Sequence, residues 1–345
     1  MKEKNSNWQT RWNTALRQQH DLLFDNETQS IKSQYAEYNS CPVCDSKTTT
    51  PLFEKDGFRY VKCQNCSMVY MNPRLNQAAT YAFYNSNVNA IYNETKFDAV
   101  SVGTALDDKI NFENMDIIDR YRKGEPGKIL EIGCAKGYFL TKAKERGYQV
   151  YGVELNEKNY QFARKTLGDT VYNNDLFDIH FENEMFDVIY MRDVIEHIPN
   201  PKPFLAELNR IAKSGALLYI ETHNIDGLIN RIVREKHTVI FGFEHPNHWS
   251  PKSLGNALNR NGFAVKRVIH KSLDFTIEVI LNYFSEPSFT TIYPWSISKH
   301  RKNLLNVLHL PFMIPPVRWL DHSIMPLIAN TVKCGSVMKV IAQKV

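Results

Sequence analysis

The chain has 345 residues, 43% hydrophobic and 23% charged, with a net charge of +5. That length allows about two domains with a sizeable core. The positive charge is mild and dispersed, which does not by itself argue for nucleic acid as a partner, and the polar start MKEKNSNWQTRWNTALRQQH lacks the apolar stretch of a secretory signal.

In chain order, residues 1–37 read as a polar segment of helix and loop. Residues 38–72 carry Cys41-x2-Cys44 and Cys63-x2-Cys66, with 18 residues between the pairs. This is the spacing of a four-thiolate zinc ribbon, in which each pair presents two thiolates to one tetrahedral ion. With no open ligand position the zinc would be structural. Metal is expected here over disulfides or redox thiols, in a cytoplasmic protein. The few large apolar residues of the segment predict that metal supplies most of its folding free energy. Residues 73–125 read as a tyrosine-rich helical lid, with Tyr81, Tyr84 and Tyr92 either packing or closing over a ligand. GEPG at 124–127 is a break.

From 126 to 345 strand patterns alternate with helical ones. Strands are expected at 128–133, 149–155, 170–173, 186–191, 216–222 and 263–270, with a last one at 336–345. Helices are expected between them, for example over 138–147 and 201–215. The alternation predicts an α/β fold: a Rossmann-like, doubly wound, mostly parallel seven-stranded sheet with helices on both faces, preceded by the small zinc ribbon. A helical insertion occupies about 273–333. Its apolar part, 304–329, is broken by Pro311, Pro315, Pro316 and Pro326 and carries Arg318 and Asp321, which excludes a spanning helix. Short packed helices are expected there, with peripheral membrane contact as the alternative.

The stretch KILEIGCAKGYFL, 128–140, runs from a strand through a turn into a helix. A dinucleotide fingerprint would need glycine at 133, 135 and 138, but those positions hold Gly133, Ala135 and Tyr138. A pyrophosphate cofactor is therefore disfavoured. The spacing Glu131-x-Gly133-x-x-x-Gly137 resembles motif I of the class I S-adenosylmethionine-dependent methyltransferases. Glu154 follows Gly133 by 21 residues, Asp175 follows the third strand, and MRDVIEH follows the fourth. This resemblance spans about 126–270. It implies S-adenosylmethionine as cofactor, with Glu131 contacting its amino group and Glu154 accepting from both ribose hydroxyls. It further implies Asp175 at the adenine, and Met191 and Arg192 beside the amine through their backbone. Cys134, Ala135 and Tyr138 of the turn, Leu155, Leu176 and the lid residue Tyr84 complete the cofactor set.

Methyl transfer from a sulfonium needs a positioned nucleophile and a base. Three histidines are candidates: His245 in FEHPNHWSPKSL, His197 in EHIPNP, and His248. The zinc segment and Glu244, His245, Trp249 and Ser250 are similar to the deoxysugar C-methyltransferases, where the corresponding histidine is the base. The tyrosine three residues before it is here Gly242. His245 therefore stands as base, with Glu244 beside it, or as a cap of the helix beginning near Ser250. His197 stands as base or as a loop anchor, and His248 as a turn anchor. The expected function is methyl transfer, on carbon or oxygen, to a small polar acceptor such as a sugar nucleotide. An RNA methyltransferase gripping its substrate through the ribbon is the alternative. Within the ribbon, however, Lys47, Lys55, Arg59 and Lys62 are offset by Asp45, Glu54 and Asp56. A cofactor-binding scaffold without catalysis is the third reading. The sequence is silent on oligomeric state.

Overall fold

The computed structural model describes residues 2–88, 91, 105–122, 124–237, 239–271 and 329–345. Tyr92, the side chain of Tyr84 and almost all of the 273–333 insertion, including 304–328, lie outside the described residues.

The strands, in order, are β1 (Ala36–Glu37), β2 (Thr49–Lys55), β3 (Phe58–Cys63), β4 (Val69–Met71), β5 (Arg74–Leu75), β6 (Lys128–Ile132), β7 (Gln149–Val153), β8 (Val171–Tyr172), β9 (Phe186–Arg192), β10 (Ala212–His223), β11 (Asn247–His248), β12 (Phe263–Lys271) and β13 (Val337–Lys344). The helices used below are α1 (Lys2–Leu23), α2 (Gln77–Tyr84), α3 (Ala105–Tyr121), α4 (Tyr138–Glu145), α5 (Glu157–Leu167), α6 (Leu176–Ile179) and α7 (Pro201–Ile211). The chain divides into two compact units. One comprises 1–94, 223–250 and 269–338, and the other 95–222, 251–268 and 339–345. These boundaries are discontinuous, unlike the divisions at 37, 72 and 125 expected from sequence. In particular, α3 belongs to the sheet unit.

The sheet unit is built on seven strands in the order β12-β13-β10-β9-β6-β7-β8. The pairs β6–β7, β6–β9, β7–β8 and β9–β10 are parallel. The expected α/β fold is thus present. β6 and β9 are apolar almost throughout, with Ile129, Leu130, Val188 and Ile189 fully buried, as strands covered on both faces require. Asn156 caps α5, its side chain accepting from Asn159 N at 3.1 Å. α7 opens on Pro201 and stops at Ile211, not at 215. The residues AKSG that complete the helical pattern belong to β10, with a register irregularity between Ala212 and Leu217. The chain winds β6-β7-β8 in one direction and β9-β10 in the other. The switch lies between β6 and β9, where open sheets bind ligands at their carboxyl ends.

The other unit contains a four-stranded sheet, β11-β4-β3-β2, antiparallel throughout. β11 joins it from far along the chain, pairing Asn247 with Tyr70 and His248 with Val69. Its core is richer than sequence suggested. Leu16, Leu23 and Phe24 from the amino-terminal segment pack with Phe58, Tyr60, Phe83, Phe241 and Phe243. Phe58 meets both Phe24 and Phe243 edge-to-face, at centroid distances of 4.9 and 5.0 Å. This core is a source of folding free energy for the segment besides the metal expected there. Most of the residues that stabilise the segment are distant in sequence.

Candidate active site and thiolate cluster

A cavity of about 420 Å³ opens at the switch point, within the size range of small-molecule sites. Gly133, Glu154, Leu155, Asp175 and Leu176, all expected from sequence, line it. So do Phe177, Val194, Ile198 and Phe204, which sequence reasoning missed. Leu155 and Phe177 are 66% and 44% exposed, an apolar rim with no folding role in view. A large exposed apolar residue cannot be told from a core one by its letter alone. Another cavity, of about 460 Å³, lies by Asp187, Lys213 and Lys266. Asp187 and Lys213 begin β9 and β10, so that cavity sits at the amino ends of the strands, where this fold does not place ligands.

The turn after β6 uses three residues with positive φ: Gly133 at 72°, Ala135 at 46° and Gly137 at 75°. A Cβ on Gly137 would sit 2.6 Å from Leu167 Cδ1 and 3.3 Å from Ala163 Cβ. Gly137 is therefore required by the approach of α5 as well as by its backbone conformation. Cys134 is buried with its sulfur against Gly152, and burial pushes its thiol far up. Met191 is fully buried at the end of β9. Tyr138 opens α4, its ring 6.0 Å from that of Phe162.

Glu154 is nearly buried and ties the strand tips together. Its Oε2 accepts from Ala135 N at 2.8 Å and its Oε1 from Asn156 N at 2.6 Å. A carboxylate offers about four lone-pair sites, and Glu154 also lines the cavity. Asp175 is exposed and caps α6, accepting from Phe177 N at 3.0 Å. Glu131 is buried, and its Oε2 has no hydrogen-bond partner among the described residues. Burial holds its carboxyl well above the usual range; Arg192 opposes this and Glu154 adds to it. A buried acid lacking a partner, beside a turn that cradles a ligand, fits an ammonium-bearing molecule.

Residues 108–268 match the model of a family described as a methyltransferase domain. This segment, a little under half of the chain, is similar to a methyltransferase domain. Curated relatives of the domain include two proteins named ubiquinone biosynthesis O-methyltransferase. The one from Idiomarina loihiensis is 30% identical over 42% of this chain and 60% of its own length. The one from Hahella chejuensis is 33% identical over 34% of this chain and 51% of its own length. The chain thus spans between half and two thirds of these relatives. A SAM dependent methyltransferase from Archaeoglobus fulgidus is similar at 20% identity, over 69% of this chain and 94% of that chain, with a TM-score of 0.45. That likeness is too loose to argue from.

The histidines expected as candidate bases fall on different elements. His197 ends a short 3-10 turn, Ile195–His197, after β9 and is half-buried. His245 is half-buried, with Nδ1 2.8 Å from the Val239 carbonyl. Its ring lies 5.9 Å from that of His223 and 6.4 Å from that of His248. Glu244 is buried. His248, Trp249 and Ser250 are buried too, and the Trp249 carbonyl accepts from Ile225 N at 2.8 Å. Most of the EHxxHWS stretch is therefore framework. Gly242 has a local cause, since a Cβ there would overlap the Phe58 ring. Tyr81 is 72% exposed.

Cys41, Cys44, Cys63 and Cys66 converge, with all four sulfurs within 4.8 Å of one another. Cys41 and Cys66 sulfurs are 3.4 Å apart, and those of Cys44 and Cys63 3.5 Å. None forms a disulfide. The two halves share one backbone pattern. Asp45 N donates to Cys41 O and Ser67 N to Cys63 O, both at 3.0 Å. Asp45 and Ser67 both have positive φ. Zinc–sulfur bonds of about 2.3 Å arranged tetrahedrally put sulfurs about 3.8 Å apart, so the cluster fits a tetrahedral ion with a small expansion. Among the described residues no helix is long and apolar enough to cross a membrane.

Proposed function

We propose that this chain transfers a methyl group from S-adenosylmethionine to a small polar acceptor, a sugar nucleotide or a related metabolite of glycan or natural-product assembly. The observation that carries the reading is the switch-point cavity at the carboxyl ends of the strands, lined by Gly133, Glu154 and Asp175. S-adenosylmethionine supplies an already activated methyl, so the chain's residues have to position the acceptor and remove its proton. Glu154 would accept from the ribose hydroxyls. Leu155, Asp175, Leu176 and Phe177 would enclose the adenine. Gly133, Cys134, Ala135, Gly137 and Tyr138 would form the floor under the sulfur, and Met191 and Arg192 would flank the amino-acid end. Tyr84 belongs to this set on its sequence position alone.

His245 is the base we favour. A carbonyl only accepts, so the Nδ1 facing Val239 O carries a hydrogen. His197 and Glu244 are the other candidates. The four cysteines would hold a structural zinc. The named activity of the curated relatives supports oxygen as the atom methylated. The zinc segment and the EHxxHWS stretch support the sugar acceptor.

Titration with S-adenosylhomocysteine tests the cofactor half, and Glu154→Ala should weaken it by about 10- to 100-fold. A labelled-methyl assay with nucleotide sugars, phenolic acceptors and total RNA tests the other half. Transfer to RNA alone, or to no acceptor despite tight binding, would overturn it.

A further inference from the structure

An open parallel sheet binds ligands at the carboxyl ends of its strands, so a site at the amino ends needs a local cause. This chain has one. Ala212 of β10 pairs with Phe186 of β9, and Leu217 pairs with Val188. Four residues of β10, 213–216, therefore stand opposite the single residue Asp187. An excess of this kind opens the ladder and re-aims side chains, and it is a built feature of a sheet. Gly215 turns the chain there with a φ of 74°. The Gln343 side chain, on β13, donates to the Gly215 carbonyl at 2.9 Å. The four bulged residues, Asp187 and Gln343 all line the cavity of about 460 Å³.

The charge of this cavity is one-sided. Arg122, Lys213 and Lys266 line it, against one acid, Asp187. That acid is already engaged. Its Oδ2 accepts from Lys128 N at 2.8 Å and from Lys213 Nζ at 2.9 Å. Arg122 converges on the same carboxylate, because a Cβ on Gly127 would overlap Asp187 and lie 3.0 Å from Arg122 Nη2. Arg122 Nη1 donates to the Gly124 carbonyl at 3.0 Å, which leaves most of the five guanidinium N–H donors over. Lys266, on β12, is exposed and has no ion pair among the described residues. One carboxylate thus offsets one of three cations. Tyr121 and Ser214 add hydroxyl groups to the wall. Every lining residue belongs to the sheet unit.

We propose that this cavity is a second ligand site, for a phosphate dianion, free or carried by a small metabolite. A phosphate group brings nearly two negative charges at neutral pH and three strong acceptor oxygens. Two cations beyond the one that Asp187 offsets, with hydroxyl donors beside them, complement that group in charge and in hydrogen bonding. The cavity is far larger than one phosphate needs and has room for an organic part of sugar size. β9 separates it from the switch-point cavity. Its seven residues, Phe186–Arg192, span roughly 20 Å, so both cavities can be filled at once. The inference does not depend on the methyl-transfer reading.

The test is calorimetry on the full chain at constant ionic strength, set by sodium chloride so that general screening is the same throughout. The probes are glucose 6-phosphate, inorganic phosphate and glucose. Both phosphates should bind and glucose should not. Tighter binding of the ester would assign the site to a phosphorylated metabolite, and equal affinities to free phosphate. Lys266→Glu should weaken either phosphate roughly 10-fold and leave the thermal transition in place, because the side chain is exposed. Lys213→Glu should weaken both as well, and Lys266→Arg should stay within about threefold of wild type. Saturating S-adenosylhomocysteine should leave the phosphate affinity unchanged. No binding of either phosphate would overturn the inference, as would glucose binding as tightly as its phosphate. Unchanged affinity in both glutamate variants, or displacement by S-adenosylhomocysteine, would put the ligand elsewhere and overturn it too.

Discussion

Gly242 and Ala135 show two ways in which the local surroundings bear on a single residue. At Gly242 the Phe58 ring occupies the space that a Cβ would take. Gly242→Ala should therefore cost about 1–3 kcal/mol in urea unfolding, the usual size of overpacking. In a Phe58→Leu background the penalty should shrink, since the two sites are in contact and not additive. Ala135 differs. Its φ of 46° is left-handed. The cost is conformational, about 1–2 kcal/mol for an L-residue, less what glycine loses in the unfolded chain. Ala135→Gly should thus stabilise by up to about 1 kcal/mol in the same assay, with the affinity for S-adenosylhomocysteine unchanged. The sequence made the turn legible through Gly133 and Gly137, but Gly242 was not, because its cause lies in Phe58, nearly two hundred positions away.

At the scale of elements, legibility followed how local the cause was. β6, β7 and β9 are marked by their own apolar runs, and the cysteine knuckles by four letters at fixed spacing. α7 was expected to run to 215, because AKSG continues a helical composition, but β10 recruits those residues by pairing with β9. β11 has no signal of its own. Its two residues become a strand only because β4 is there to pair with, and this buries His248 beside Tyr60, ring centres 5.2 Å apart. Burial, with the nearby charges of His223, Lys55 and His237, lowers the His248 imidazole from 6.5 to about 3. Between those values the unfolded chain binds the extra proton and the folded one does not. Stability from this group is complete above pH 6.5 and is lost as pH falls toward about 3. The slope is about 1.4 kcal/mol per pH unit. Urea unfolding at pH 7, 6 and 5 should show it, and His248→Gln should flatten the profile. The slope and not the starting level is the readout, since the variant also loses ring packing.

For the molecule as a whole, the chain's order conceals which segments fold together. Residues 223–250 and 269–338 belong to the same compact unit as 1–94, while the sheet unit resumes at 251 and again at 339. No local composition change marks those returns, so contiguous domains were the natural expectation. All four cysteines lie in the first unit, together with Phe58, Phe241 and Phe243. The switch-point cavity is lined wholly by the second. Removing a bound metal with a chelator should therefore lower the thermal transition of the first unit. It should not abolish that transition, because the aromatic core remains. The apparent loss should scale with metal affinity, as for any ligand that binds only the folded form. The affinity for S-adenosylhomocysteine, read on the same chelated sample, should stay within about threefold, since less than 1 kcal/mol separates those affinities. Complete unfolding of the first unit on chelation would show that the thiolate cluster outweighs its core. A large fall in nucleoside affinity would show that the metal supports the cavity as well.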